Sequence, residues 1–151
     1  MGKNLNNSTQ YNCIVTELLV IHKKEFTDSI IIQNTINKHF IPIPQAYTRC
    51  SLTALNDKNY ITSDEGIRKT LLKNGFNVLH INPKQIILPG FKNGFYGGTN
   101  GVFENKLYQI GKIENPLERK TLNSFLKNNS IRLIELYDGA LYDAGGIFFG
   151  K

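Results

Sequence analysis

The chain has 151 residues, of which 40% are apolar and 20% charged, so its length suits one compact domain after a polar segment at 1–10. No apolar run approaches the roughly 18 residues that cross a bilayer, and the N-terminus does not have the pattern of an export signal, which predicts a cytoplasmic protein without a membrane partner. The net charge of +6 comes from scattered lysines without interleaved aromatics, which disfavours a nucleic-acid partner.

One order of elements, strand, turn, strand, helix and strand, occurs three times along residues 11–151, within a single predicted domain. In the first unit, β-rich runs at 12–16 and 18–22 precede a helix that is capped by Thr27 or Asp28 and reaches about Lys38. The predicted units cover about 11–44, 45–82 and 95–136.

The second unit shows the pattern most clearly. A strand over 50–55 turns back into a strand over 60–62, Ser63 caps a helix, and 77–81 is the last strand. In the third unit, Asn115 and Pro116 begin the helix. The apolar run at 145–149 is predicted to be a closing strand.

Two long connections, 83–97 and 137–145, separate the last strand of one unit from the first strand of the next. The first is rich in Gly, Pro and Asn, and the second in Gly and Asp, as loops are. Because binding residues concentrate on loops held by a rigid scaffold, these junctions are the predicted location of a site.

The segments that open the units carry a family resemblance. Arg49-Cys50 followed by Thr53, together with the Gly-Gly pairs at 97–98 and 145–146, resembles the pentein, or guanidino-group-modifying-enzyme, superfamily. Over 11–149 the chain also resembles an uncharacterised bacterial group with that fold. The resemblance implies an α/β fold, an αβ-propeller-like chain of three ββαβ units plus one extra C-terminal strand, short of the full five-unit ring, with ligands at the pseudo-symmetry axis.

In catalytic members of that superfamily, a cysteine thiolate attacks the guanidinium carbon, a histidine moves protons, and carboxylates bind the guanidinium nitrogens. Carried over to this sequence, Cys50 is the candidate nucleophile and Arg49 would favour its thiolate. The alternative is that Cys50, like Cys13, is a structural free thiol. The histidine that stands two residues before an acidic residue in active members is missing, which leaves His80 as the acid or base candidate.

Asp138 and Asp143 are the preferred ligand carboxylates, because both lie in a loop with no helix end to explain them. Asp64 and Glu65 are better explained by the first turn of a helix. The ligand-binding candidates also include Arg49, Gly97, Gly98, Thr99 and Asn100. The glycines among them are explained equally well by close backbone approach. No metal or cofactor is predicted.

Three functions stay open. The favoured one is a binder of a small guanidino, amidine or other cationic ligand without efficient catalysis. The alternatives are a hydrolase of guanidino compounds that uses Cys50, against which the missing histidine counts, and a protein-interaction module. A homodimer that buries the apolar segment at 147–149 is predicted, unless this segment returns to pair beside residues 12–16.

Overall fold

A computed structural model describes residues 9–150 as a mixed α/β domain of several small sheets without a closed barrel. The first sheet contains β1 (Ile14–Val15), β2 (Leu19–His22) and β3 (His39–Pro42), with β2 in the middle. Helix α1 (Ser29–Asn34) connects β2 to β3. Asp28 caps it, as predicted, and it ends before the expected Lys38.

The second sheet follows the same plan. Its strands are β4 (Leu52–Ala54), β5 (Asn59–Thr62) and β6 (Asn77–His80), and helix α3 (Glu65–Lys73) connects the last two. Residues Thr48–Ser51, where the first strand was predicted to begin, instead form one helical turn, α2. Asp64 caps α3 in place of the expected Ser63, whose hydroxyl accepts a hydrogen bond from the Tyr96 amide at 2.9 Å.

Each of the two long connections contains one short strand, and these two strands pair with each other. The first of them, β7 (Ile86–Ile87), follows the second sheet. The third sheet comprises β8 (Asn100–Phe103), β9 (Lys106–Gln109) and β10 (Arg132–Glu135), with helix α4 (Pro116–Asn128) before β10. β11 (Leu141–Tyr142) then pairs in parallel with β7. Asn115 caps α4, as predicted.

All three larger sheets share one topology. In each, the first strand runs antiparallel to the middle strand and the last runs parallel to it. A parallel neighbour needs a crossover connection, and a helix provides it each time. This arrangement places β1, β4 and β8 at one edge of their sheets.

The core consists of two apolar clusters that share β5. Tyr60 packs into the cluster with the first sheet and Ile61 into the cluster with the third, because successive side chains of a strand point to opposite faces. Both residues are fully buried. The second sheet is therefore packed on both faces, which fixes the loops that connect its strands.

The closing strand predicted over 145–149 does not form. Gly145 and Gly146 have φ of 87° and 101°, which an extended strand does not allow. The segment instead crosses β8, where the Ile147 amide donates to the Asn100 carbonyl at 3.1 Å. It does not pair beside residues 12–16, since β1 pairs with β2 alone among the described strands.

Between Thr9 and Gly150, no helix has both the length and the apolar character that crossing a membrane requires.

Candidate functional site

A cavity of about 870 Å³ lies where the two long connections approach α2. We call it the loop cavity. Its walls come from residues 47–50, 88–95 and 142–145, and the pairing of β7 with β11 holds the second and third of these together. Four aromatic side chains line it: Tyr47, Phe91, Phe95 and Tyr142. A concave, mainly apolar space with few polar groups is typical of a small-molecule site.

Asp143 is the buried carboxylate of this cavity, with only 7% of its surface exposed. Its Oδ2 accepts a hydrogen bond from the Phe95 amide at 2.9 Å, and its Oδ1 accepts one from the Gly145 amide at 3.0 Å. Among the described residues, no cationic side chain forms an ion pair with it. The carboxylate therefore joins two loops while its charge stays without a cation.

Two glycines provide the space for that carboxylate. A Cβ on Gly98 would lie 1.9 Å from Asp143 Oδ1, and one on Gly94 would lie 2.7 Å from Asp143 Cβ. A Cβ on Gly97 would lie 2.2 Å from the carbonyl oxygen of Arg49. Gly97 and Gly98 thus allow α2 and Asp143 to approach the 3-10 turn Tyr96–Thr99, which is the close backbone approach considered for them from the sequence.

Cys50 lies on α2 and also lines the loop cavity. Its Sγ accepts a hydrogen bond from Asn12 Nδ2 at 3.2 Å, and Asn12 Oδ1 accepts from the Arg49 amide at 2.8 Å. Asn12, which precedes β1, therefore holds α2 in place, a role that the sequence did not reveal. The available signal was its position in the segment that opens the first predicted unit. Both Cys50 and Cys13 are free thiols.

Arg49 points away from the loop cavity. Its Nη1 and Nη2 donate to the carbonyl oxygens of Gly145 and Ile147, each at 3.3 Å, and its guanidinium carbon lies 3.6 Å from the centre of the Phe148 ring. Burial lowers the pKa of Arg49. Rather than facing a ligand beside Cys50, this side chain holds the C-terminal segment.

The structure does not bring His80 or Asp138 to the cavity. His80 Nε2 lies 4.0 Å from Glu65, at the end of the second sheet. The side chain of Asp138 is 90% exposed and forms an ion pair with Lys112, which lowers the pKa of Asp138. The loop that holds both aspartates turns them in different directions, because only Asp143 follows the paired strand β11 into the interior.

Thr99 and Asn100 are buried and bonded within the protein. The Thr99 hydroxyl donates to the Tyr96 carbonyl at 2.7 Å, and Asn100 Oδ1 accepts from the Thr53 hydroxyl at 2.8 Å. Of the candidate residues, the loop cavity thus gathers Cys50 and Asp143, and no histidine lines it. No three His, Cys, Asp or Glu side chains of the described chain come together as a metal site.

The profile of a family of unknown function, DUF6873, matches residues 1–148. The chain belongs to DUF6873. No curated protein matches this DUF6873 chain.

Among solved structures, the DUF6873 chain is similar to C. jejuni agmatine deiminase, with a TM-score of 0.59, 12% identity, and coverage of 86% of this chain and 52% of that one. A Cys→Ser variant of that enzyme with substrate bound is similar at a TM-score of 0.60 and 12% identity, over 88% of this chain and 53% of the other. The chain spans about half the length of the enzyme it matches. Agmatine deiminases have the pentein fold, so the comparison supports the pentein assignment, and it shows fold alone.

Proposed function

We propose that the loop cavity binds a small organic cation of the guanidino or amidine type, without efficient catalysis. Asp143 is the observation that carries this proposal: a buried carboxylate lines a mainly apolar cavity and forms no ion pair with any side chain of the described residues. Burying an ionised carboxylate in apolar surroundings is costly unless a positive charge accompanies it. A bound cation would supply that charge.

The aromatic lining supports the same ligand class. Tyr47, Phe95 and Tyr142 line the cavity together with Asp143. A planar cation is attracted to the faces of aromatic rings, and a guanidinium matches a carboxylate through charge-assisted hydrogen bonds. Lys92 also lines the cavity, so a ligand with a second positive charge near that side chain would bind less well.

Binding is favoured over hydrolysis because no histidine lines the cavity beside Cys50. Asn12 contacts the sulfur of Cys50. Under the hydrolase alternative, a thiolate would attack the guanidinium carbon and a nearby group would have to protonate the departing amine. His80 does not line the cavity, so it is not placed for that step.

The fold underlying this proposal is an incomplete αβ-propeller. Each three-stranded sheet with its helix would be one ββαβ unit, and the loop cavity would lie at one end of the shared axis. The common topology of the three sheets and the likeness to agmatine deiminase over half of that enzyme support this interpretation.

Calorimetry with matched ligand pairs tests the proposal. Agmatine, arginine and benzamidine carry a guanidinium or amidinium group, and in N-carbamoylputrescine, citrulline and benzamide an uncharged urea or amide replaces that group. We expect at least one cation to bind about tenfold or more tightly than its counterpart, because the counterpart loses a hydrogen bond between two charged groups. Release of ammonia or of a ureido product that is lost in Cys50→Ser would establish the hydrolase instead.

Asp143→Asn is the informative variant, and Asp138→Asn is its matched control. An asparagine presents one acceptor oxygen where Asp143 uses two, so we expect lower stability, by about 1–3 kcal/mol, as well as lost cation binding. Binding is therefore measured at a temperature well below the thermal unfolding midpoint of the variant. Asp138→Asn should bind like wild type. If wild type binds no member of the panel, the protein-interaction alternative takes precedence.

A further inference from the structure

A second concavity, of about 370 Å³, lies along the edge strands β1, β4 and β8. We call it the Arg49 groove. Apolar side chains form most of its walls, among them Ile14, Leu52, Val102 and Phe149. Arg49 is the one charged side chain that residues 9–150 contribute to its lining.

The positive charge of Arg49 is not neutralised by any carboxylate of the described residues. Its two hydrogen bonds go to backbone carbonyls at 3.3 Å, which is long for such bonds. The other polar side chains of the groove, Thr53 and Asn100, bond to each other at 2.8 Å. Arg49 is thus the group through which this groove would recognise a charged ligand.

The C-terminal segment forms a fixed wall of the groove. The Phe149 ring stacks on Phe103 with ring centres 5.0 Å apart, and the Ile147 amide bonds to Asn100. A Cβ on Gly101 would lie 2.4 Å from the Ile147 carbonyl oxygen, so the absence of a side chain there admits the segment. The Arg49 guanidinium contacts this wall through the carbonyl oxygens of Gly145 and Ile147 and the ring of Phe148.

We propose that the Arg49 groove binds a small carboxylic acid with an apolar body. The carboxylate accepts hydrogen bonds from the guanidinium, whose planar donors match it, and the body packs against the edge strands. This site is separate from the loop cavity and selects the opposite charge. A negative result for one of the two proposals therefore leaves the other untouched.

Amide NMR with calorimetry tests this inference on the whole chain. The probes are 3-phenylpropionate and hexanoate, with 3-phenylpropionamide as the neutral match. We expect saturable shifts at Ala54 and Gly101, little change at Ala144 in the loop cavity, and binding of the acid at least about tenfold tighter than of the amide. Equal binding of acid and amide, or no saturable shift at millimolar ligand, would overturn the proposal.

Two arginine variants test whether the charge of Arg49, and not only the shape of the groove, determines carboxylate binding. Arg49→Gln should weaken carboxylate binding about tenfold or more, whereas Arg119→Gln, which removes an arginine paired with Glu135 on another face, should not. If Arg49→Gln does not fold, the acid and amide pair on wild type still decides the question. Each titration keeps the protein concentration constant, because Phe148, where a dimer contact is predicted, also lines the groove. Shifts at Ala54 and Gly101 that appear when the protein concentration is raised without ligand, and that the ligand leaves unchanged, would assign the groove to a second copy of the chain and refute the proposal.

Discussion

At the scale of single residues, Gly98 decides whether Asp143 can take its position. A methyl group there would meet the carboxylate oxygen at 1.9 Å, so Gly98→Ala has to displace Asp143 from the Phe95 and Gly145 amides. Overpacking a buried site commonly costs about 1–3 kcal/mol, and the lost hydrogen bonds add to this. We expect urea denaturation of Gly98→Ala to show a loss of about 2 kcal/mol or more.

The control for this measurement is Gly150→Ala, because a Cβ on Gly150 meets no atom within 4 Å. Its unfolding midpoint should equal that of wild type. Equal midpoints for the two variants would mean that Asp143 does not depend on the space at Gly98.

His22 is a buried residue whose charge state links stability to pH. It is fully buried, and its ring nitrogens lie 2.9 Å from the Thr27 hydroxyl and the Ala46 carbonyl. Burial is the main cause that lowers the pKa of His22, although the bonds to backbone carbonyls oppose it. The unfolded chain therefore takes up a proton at higher pH than the folded one does.

It follows that the contribution of His22 to stability is complete above the ordinary histidine pKa of about 6.5 and decreases as the pH falls below that value. We expect the free energy of unfolding to be lower at pH 5.5 than at pH 7.5, and His22→Gln to reduce this difference. His39→Gln, at an exposed position, should keep the wild-type dependence. An unchanged pH dependence in His22→Gln would rule out this linkage.

At the scale of elements, a single side chain determines where α3 begins. Asp64 Oδ1 accepts from the Ile67 amide at 2.8 Å, and the helix buries Ile67 and Leu71 in the core. Removing such a cap typically costs about 1 kcal/mol. Asp64→Ala should therefore lower the thermal midpoint, whereas Asp64→Asn should lower it less, because asparagine also caps helices. Equal losses in both variants would show that charge, not capping, is the contribution of Asp64.

At the scale of the whole molecule, the predicted homodimer depends mainly on Phe148. Phe149 packs on Phe103, but 75% of Phe148 is exposed, and one face of its ring covers Arg49. We propose that a second copy covers the outer face of this ring. Light scattering should give a dimer mass for wild type and a monomer mass for Phe148→Ser.

Leu117→Ser is the matched control for the dimer, since Leu117 is 77% exposed on α4 and does not line the Arg49 groove. It should remain a dimer. A wild-type monomer at high protein concentration would contradict the prediction, and dissociation of both variants would place the contact elsewhere.

The mixed α/β class, the starts of two helices and the position of a cavity at the long connections could be predicted from the sequence. Asn115 and Asp28 cap helices where predicted, because capping and hydrophobic periodicity depend on residues close in the chain. The loops could likewise be assigned as the place of a cavity, because Gly, Pro, Asn and Asp mark turns through their own local backbone preferences. These features are local, so no knowledge of packing was required.

Only the tertiary structure decided which candidate residues meet. Residues Thr48–Ser51 form a helical turn rather than a strand, and they pack where Gly97 leaves room. That turn directs Cys50 into the loop cavity and Arg49 into the groove, although the two are adjacent in sequence. Likewise, Asp143 is buried and Asp138 is exposed within one loop. Side-chain direction in short irregular segments depends on contacts with distant parts of the chain, and local sequence patterns do not encode those contacts.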